Sequence, residues 1–126
     1  MPDWSIKFIP AQNPTPNRRA DFQLDSPTGK RGATVEVFNG DLVSWNNTTG
    51  DQHQPAVFDP VGGAGPPVGP AQPVGGILQS HQSSPAYPVA APAGSVIRFC
   101  CTQHAGEFGV MIVIEPGKSS SSPPSV

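Results

Sequence analysis

The sequence predicts an all-β protein: a Greek-key sandwich or barrel of about seven to eight strands. Three observations carry this. The apolar residues are mostly β-branched, with 12 Val and 6 Ile against 3 Leu, a bias that fits pleated, half-buried strands far better than helices. Turn formers are dense, 17 Pro and 14 Gly in 126 residues. Several short segments alternate large apolar and polar side chains, the period of a strand with one covered face. The length suits one domain. Leu, Ile, Val and Phe make up 27 of the 126 residues, just above the roughly 20% below which a chain rarely folds.

The elements follow in order. Trp4–Ile9 alternates, placing Trp4, Ile6 and Phe8 on one face of a strand. Residues 10–32 are rich in proline and read as irregular, with a short strand near Asp21–Leu24. Ala33–Phe38 is a strand facing Val35 and Val37 inward. Asn39-Gly40 is a turn, Asp41–Asn46 the next strand, and residues 47–51 a polar loop. Residues 54–58 pair briefly. Residues 59–76 hold six glycines and five prolines in 18 positions, a density that predicts a long excursion without a ladder. Ile77–Gln79 and Ala86–Val89 are weak strands. Ser95–Cys101 places Ile97, Phe99 and Cys101 on one face, Val96, Arg98 and Cys100 on the other. Phe108–Ile114 is nearly all apolar, as for a strand covered on both faces. The fold domain therefore spans residues 1–116, and the low-complexity stretch 117–126 reads as a disordered tail or linker stub.

Composition also excludes functions. A net charge of −2 leaves no basic footprint for nucleic acid. No apolar run approaches the roughly 18 residues of a membrane span. The serines sit in no strand–turn–helix elbow, so Ser/His/Asp hydrolysis has no support, and the chain is not expected to be an enzyme. Three histidines, His53, His81 and His104, allow at most one mononuclear imidazole site. The only cysteines, Cys100 and Cys101, are adjacent and poorly placed to pair. No signal peptide opens the chain; Met1-Pro2-Asp3 fits a cytosolic start or a start added to a mature exported domain.

Chemistry concentrates in the last hairpin, Phe99-Cys100-Cys101-Thr-Gln-His104-Ala-Gly-Glu107-Phe-Gly109. A core-facing cysteine ends one strand, and a histidine follows three residues later in the connecting loop. Upstream, Gly40-Asp41-Leu-Val43-Ser-Trp45-Asn46 delivers a polar loop and then His53. These two segments, roughly residues 33–58 and 94–115, resemble the cupredoxins, the small type 1 blue-copper proteins such as plastocyanin and amicyanin. The resemblance implies one copper per chain held by His53, Cys101 and His104. A soft thiolate with imidazoles in a trigonal set suits copper cycling between its +1 and +2 states. The Cys-x-x-His spacing selects Cys101, leaving Cys100 as a buried apolar side chain.

The axial position departs from the pattern. Family members often carry Met in the loop after the second histidine, followed two residues on by Gly. Aligning on Gly109 puts Glu107 there. Met111 lies deeper in the strand and reads as core; failing Glu107, the axial place is empty or filled by water or a backbone oxygen. A carboxylate is anionic and hard, favouring Cu(II). A preference of ~3 kcal/mol would lower a one-electron potential by about 130 mV, giving a red or green protein of low potential. Gln54 is a candidate for tying the ligand loops together. His81 reads as an exposed loop histidine.

The resemblance implies an electron-transfer protein: a monomer that docks redox partners transiently near His104, in the periplasm or another extracytoplasmic space, its signal peptide removed. Two other readings stay open: a copper storage, delivery or sensing protein, and a zinc-binding or metal-free adhesion module, since His₂CysGlu also suits zinc.

Overall fold

A computed structural model of the protein describes residues 3–25, 34–62 and 69–115. The expected tail, residues 117–126, and the middle of the Pro/Gly excursion lie outside them. Ten strands and no helix occur among the described residues: β1 Asp3–Thr15, β2 Arg18–Leu24, β3 Thr34–Val37, β4 Leu42–Asn47, β5 Pro55–Val57, β6 Val61–Gly62, β7 Gln72–Pro73, β8 Tyr87–Pro88, β9 Ser95–Cys101 and β10 Phe108–Val113. They form two mixed sheets. One runs β2-β1-β4-β8, the other β3-β10-β9-β5-β7, with β6 also paired to β9.

The alternations read from the sequence set the core. Trp4, Ile6 and Phe8 are buried on β1, beside Val43, Trp45 and Asn47 of the parallel neighbour β4. From the other sheet come Ile97, Phe99 and Cys101 of β9, Met111 and Val113 of β10, and Val35 and Val37 of β3. Phe22 joins the layers, edge-on to Phe99 at 4.9 Å and tilted against Phe8 at 4.9 Å.

Three elements differ from expectation. Residues 10–24 form a hairpin: β1 continues through Pro10 to Thr15, and β2 returns from Arg18. The register of β1 with β4 ends at Phe8, and Pro10 and Pro14 lie past that end, where proline is tolerated. The Asn39-Gly40 turn is present where expected, with Gly40 at φ 96°. It carries the chain from β3 in one sheet to β4 in the other. The Pro/Gly excursion contains two-residue edge strands: β6 on Val96 and Ser95, and β7 on β5. Strands this short lie along an edge, where proline is tolerated. Finally, β10 is covered on one face only. Gly109, Met111 and Val113 are buried, while Val110 and Ile112 are half-buried and Phe108 is 67% exposed. Its partner across the ladder, Cys100, is likewise only half-buried, not the buried side chain expected; it lies on the outer face of the sheet.

One buried polar link pins the pole opposite the ligand loops. Asp41 accepts the Trp4 indole N–H at 2.7 Å and the Phe38 N–H at 2.9 Å. Replacing Trp4 with Phe removes the first donor while keeping the packing. We expect the unfolding free energy in urea to fall by about 1–3 kcal/mol, the cost of leaving a buried charged acceptor short of a partner.

Candidate metal centre

Strand register brings the four expected ligands together. Pro55 of β5 pairs with Cys101 of β9, so His53, two residues earlier, stands beside the sulfur. The His53 backbone is fixed by reciprocal hydrogen bonds with Leu78, 3.2 and 2.6 Å; residues 77–79, expected as a weak strand, form only this single bridge. The loop between β9 and β10 is tight. The Cys101 N–H bonds Glu107 C=O at 2.9 Å, and the Glu107 N–H bonds His104 C=O at 3.2 Å. That closure turns His104 and Glu107 back toward the cysteine.

One ligand atom each from His53, Cys101, His104 and Glu107 lies within 4.8 Å of the others. Cys101 Sγ is 3.7 Å from His53 Nδ1 and 3.8 Å from His104 Nδ1. A sulfur and a nitrogen bound to one ion at ordinary bond lengths, with angles of 110–120°, stand about 3.5–3.8 Å apart. The thiol and imidazoles therefore fit a common metal ion. His53 Nδ1 and Glu107 Oε1 are 2.8 Å apart, a hydrogen-bond distance with one proton between them; joint ligation requires about 3.4 Å. Met111 is packed in the core, and His81 is an exposed turn residue with φ 67°. Neither joins the group.

The surroundings hold each ligand. His53 is fully buried, its ring stacked on Phe8 with centroids 4.6 Å apart and 11° between planes. Its Nε2 lies 3.0 Å from Thr49 Oγ1. The Thr49 hydroxyl donates to Asn47 Oδ1 at 2.7 Å, so the ring N–H donates to Thr49 and Nδ1 is left to face the site. Asn47 is itself buried and donates to the carbonyls of Asp51 and Leu78, which shapes the whole loop. Gln54 does link the two ligand loops. Its N–H points at Cys101 Sγ at 3.5 Å, its C=O accepts from Thr102 N–H at 2.9 Å, and its side-chain oxygen accepts from Thr102 Oγ1 at 2.6 Å.

The β1–β2 hairpin, in which the sequence carried no recognisable motif, closes the back of the site. Glu107 Oε2 accepts the N–H of Arg19 at 2.7 Å and of Ala20 at 2.9 Å. Gly106 N–H bonds Asn17 C=O at 2.6 Å, and a Cβ at position 106 would lie 2.8 Å from that oxygen. The sequence placed Phe8 on the covered face of its strand and Asn47 and Thr49 in a polar loop, but carried no sign that these residues or the main-chain donors serve the site.

Burial raises the Glu107 carboxyl, but the His53 hydrogen bond and charge, the Arg19 N–H and the Cys101 thiol outweigh it and hold it below its ordinary value. Cys101 is pushed up to about 11. Burial is the main cause; the N–H groups of Gln54 and Gln103 oppose it, and the Glu107 charge adds to it.

No protein-family model and no curated protein sequence matches this chain. Solved structures do. Rusticyanin from Thiobacillus ferrooxidans aligns over 88% of this chain and 75% of its own, at 18% identity and a TM-score of 0.58. A purple cupredoxin from Nitrosopumilus maritimus aligns over 86% and 97%, at 18% identity and 0.55. The fold is that of the cupredoxins. Auracyanin from Roseiflexus castenholzii, over 88% and 95% at 20% identity and 0.50, shares it. In this cupredoxin fold the cluster lies at the end of β9 and in the loops that join β4 to β5 and β9 to β10.

Two measurements follow. Metal ligation by Cys101 displaces a thiol proton held up to about pH 11. Apparent Zn(II) affinity, from chelator competition, should therefore rise at least about tenfold per pH unit between 7 and 9; a flat profile would exclude thiolate ligation. Gly106→Ala should lower the metal-free unfolding free energy by about 1–3 kcal/mol through overpacking against Asn17, read from urea titration.

Proposed function

We propose that this protein is a mononuclear copper carrier of single electrons, with His53, Cys101 and His104 as its ligands and Glu107 as an axial carboxylate. The observation that carries the reading is the group itself: one thiol, two imidazole Nδ1 atoms and one carboxylate oxygen within 4.8 Å, on a cupredoxin fold. Bound copper would supply one-electron exchange between its +1 and +2 states. The protein's part is rigidity. Phe8 and Thr49 fix the His53 ring, and the Gln54 and Gln103 N–H groups, 3.5 and 3.4 Å from Cys101 Sγ, support charge on the sulfur.

His104 is the outlet. It is 17% exposed while His53 and Glu107 are fully buried, so a partner's electron meets the site at the His104 edge. Ala105, Gly106, Thr102 and Gln103 there are uncharged, and the nearby Arg18, beside Gly106, is paired with Asp21, which suits brief docking with little electrostatic steering. Among the described residues no helix is long and apolar enough to cross a membrane. We read the protein as a carrier acting as a monomer outside the cytoplasm, not an enzyme. Monomeric state and location rest on the family resemblance.

Loading with one equivalent of Cu(II) tests this. The reading predicts an intense sulfur-to-copper charge-transfer band, strongest toward the blue end of the visible, and its loss in Cys101→Ser. Zinc preference with no such band would support a zinc module instead. Glu107→Met should raise the midpoint potential by about 100 mV or more, the scale of a ~3 kcal/mol carboxylate preference for Cu(II). An unchanged potential would remove Glu107 from the ligand set.

A further inference from the structure

We propose that the β1–β2 hairpin, through the backbone N–H groups of Arg19 and Ala20, holds Glu107 as a one-oxygen ligand, reserving Oε2 for the protein and leaving only Oε1 for the metal. The inference rests on the reading of Glu107 as axial ligand and goes beyond it.

Oε2 receives two N–H donors at 2.7 and 2.9 Å, which occupy both of its lone pairs. His104 Nδ1 lies further from it, at 3.3 Å. Oε1 faces His53 Nδ1 at 2.8 Å, and a bound cation replaces the proton between those atoms. The hairpin cannot easily let go. Its turn is bonded to the ligand loop through Gly106 N–H and Asn17 C=O, at a closeness that admits no side chain at position 106. Arg19 also reaches the loop before His53, with Nε 3.4 Å from Asp51. Arg19 and Ala20 are thus positioning residues acting through their main chain. Two charge-assisted hydrogen bonds draw charge from the carboxylate, so the axial donor is weaker than a free carboxylate.

The consequence is specific to Glu107→Gln. A glutamine has one acceptor oxygen and a donating NH₂. Two N–H groups at the Oε2 position demand the oxygen. The NH₂ then points at His53 Nδ1, satisfying every group in the metal-free protein but offering the metal no lone pair. Glutamine here behaves as a missing ligand.

The test compares wild type, Glu107→Gln and Glu107→Ala, each loaded with one equivalent of Cu(II). The expected result is that the two variants share one visible spectrum, with the same ratio of blue-end to orange-red bands, clearly different from wild type. A glutamine spectrum intermediate between wild type and alanine would mean that the amide oxygen has left the hairpin for the metal, and would overturn the proposal while leaving Glu107 a ligand. Identical spectra in wild type and Glu107→Ala would overturn the axial reading itself. Amide exchange by NMR of the zinc-loaded proteins reads the hairpin directly. The Arg19 and Ala20 amides should stay protected in Glu107→Gln and exchange at least about tenfold faster in Glu107→Ala, having lost a charged acceptor. Equal loss of protection in both variants would also overturn the proposal.

Discussion

The Glu107 carboxylate lies fully buried where three separate stretches of chain meet, and its two oxygens bond its own loop to the other two. Oε1 takes His53, on the segment between β4 and β5. Oε2 takes the backbone of Arg19 and Ala20 at the start of β2. The residue itself belongs to the loop after Cys101. A buried carboxylate without partners would cost several kcal/mol. Here two backbone donors and an imidazole satisfy it, so any arrangement that separates the hairpin from the ligand loops exposes that cost. This makes the two sheets meet in one register at the end where the site lies. The hydrophobic core alone, non-directional as it is, would not select that register.

The same arrangement shows how a cluster of one thiol, two imidazoles and one carboxylate is held in place. The thiol side is set by β-ladder geometry: Pro55 opposite Cys101, and the short loop closed by Cys101 N–H on Glu107 C=O. The carboxylate side is set by the hairpin. His53 sits between them, with Phe8 on its face and Thr49 on its far nitrogen. Only His104 is left at the surface. Such support would limit rearrangement around a bound copper between its oxidation states, which is what the proposed carrier role requires.

How much of this was legible in the sequence divides along a physical line. Ser95–Cys101 and Asp41–Asn46 were readable as strands from local pattern, and in the first alternation correctly turned Cys101 inward. Cys101-x-x-His104, with Glu107 ahead of Gly109, was readable through the resemblance to the cupredoxins, and the loop between β9 and β10 is short enough to keep these residues together. The hairpin was not. Its tip is rich in proline and reads as irregular, and its contacts to Glu107 span 88 and 87 residues through main-chain donors that any residue but proline carries. Nor could the apolar run of β10 show by itself that only one of its faces is covered. That depends on a second layer, and the outer face of this sheet has only partial cover over Cys100, Val110 and Ile112.

The most direct test of the central claim, one metal ion held by all four side chains, is copper K-edge X-ray absorption on the singly loaded Cu(II) protein. The account predicts one sulfur, two imidazole nitrogens and one further oxygen in the coordination sphere. A sphere lacking sulfur, or one with a second sulfur from Met111 in place of the oxygen, would contradict it.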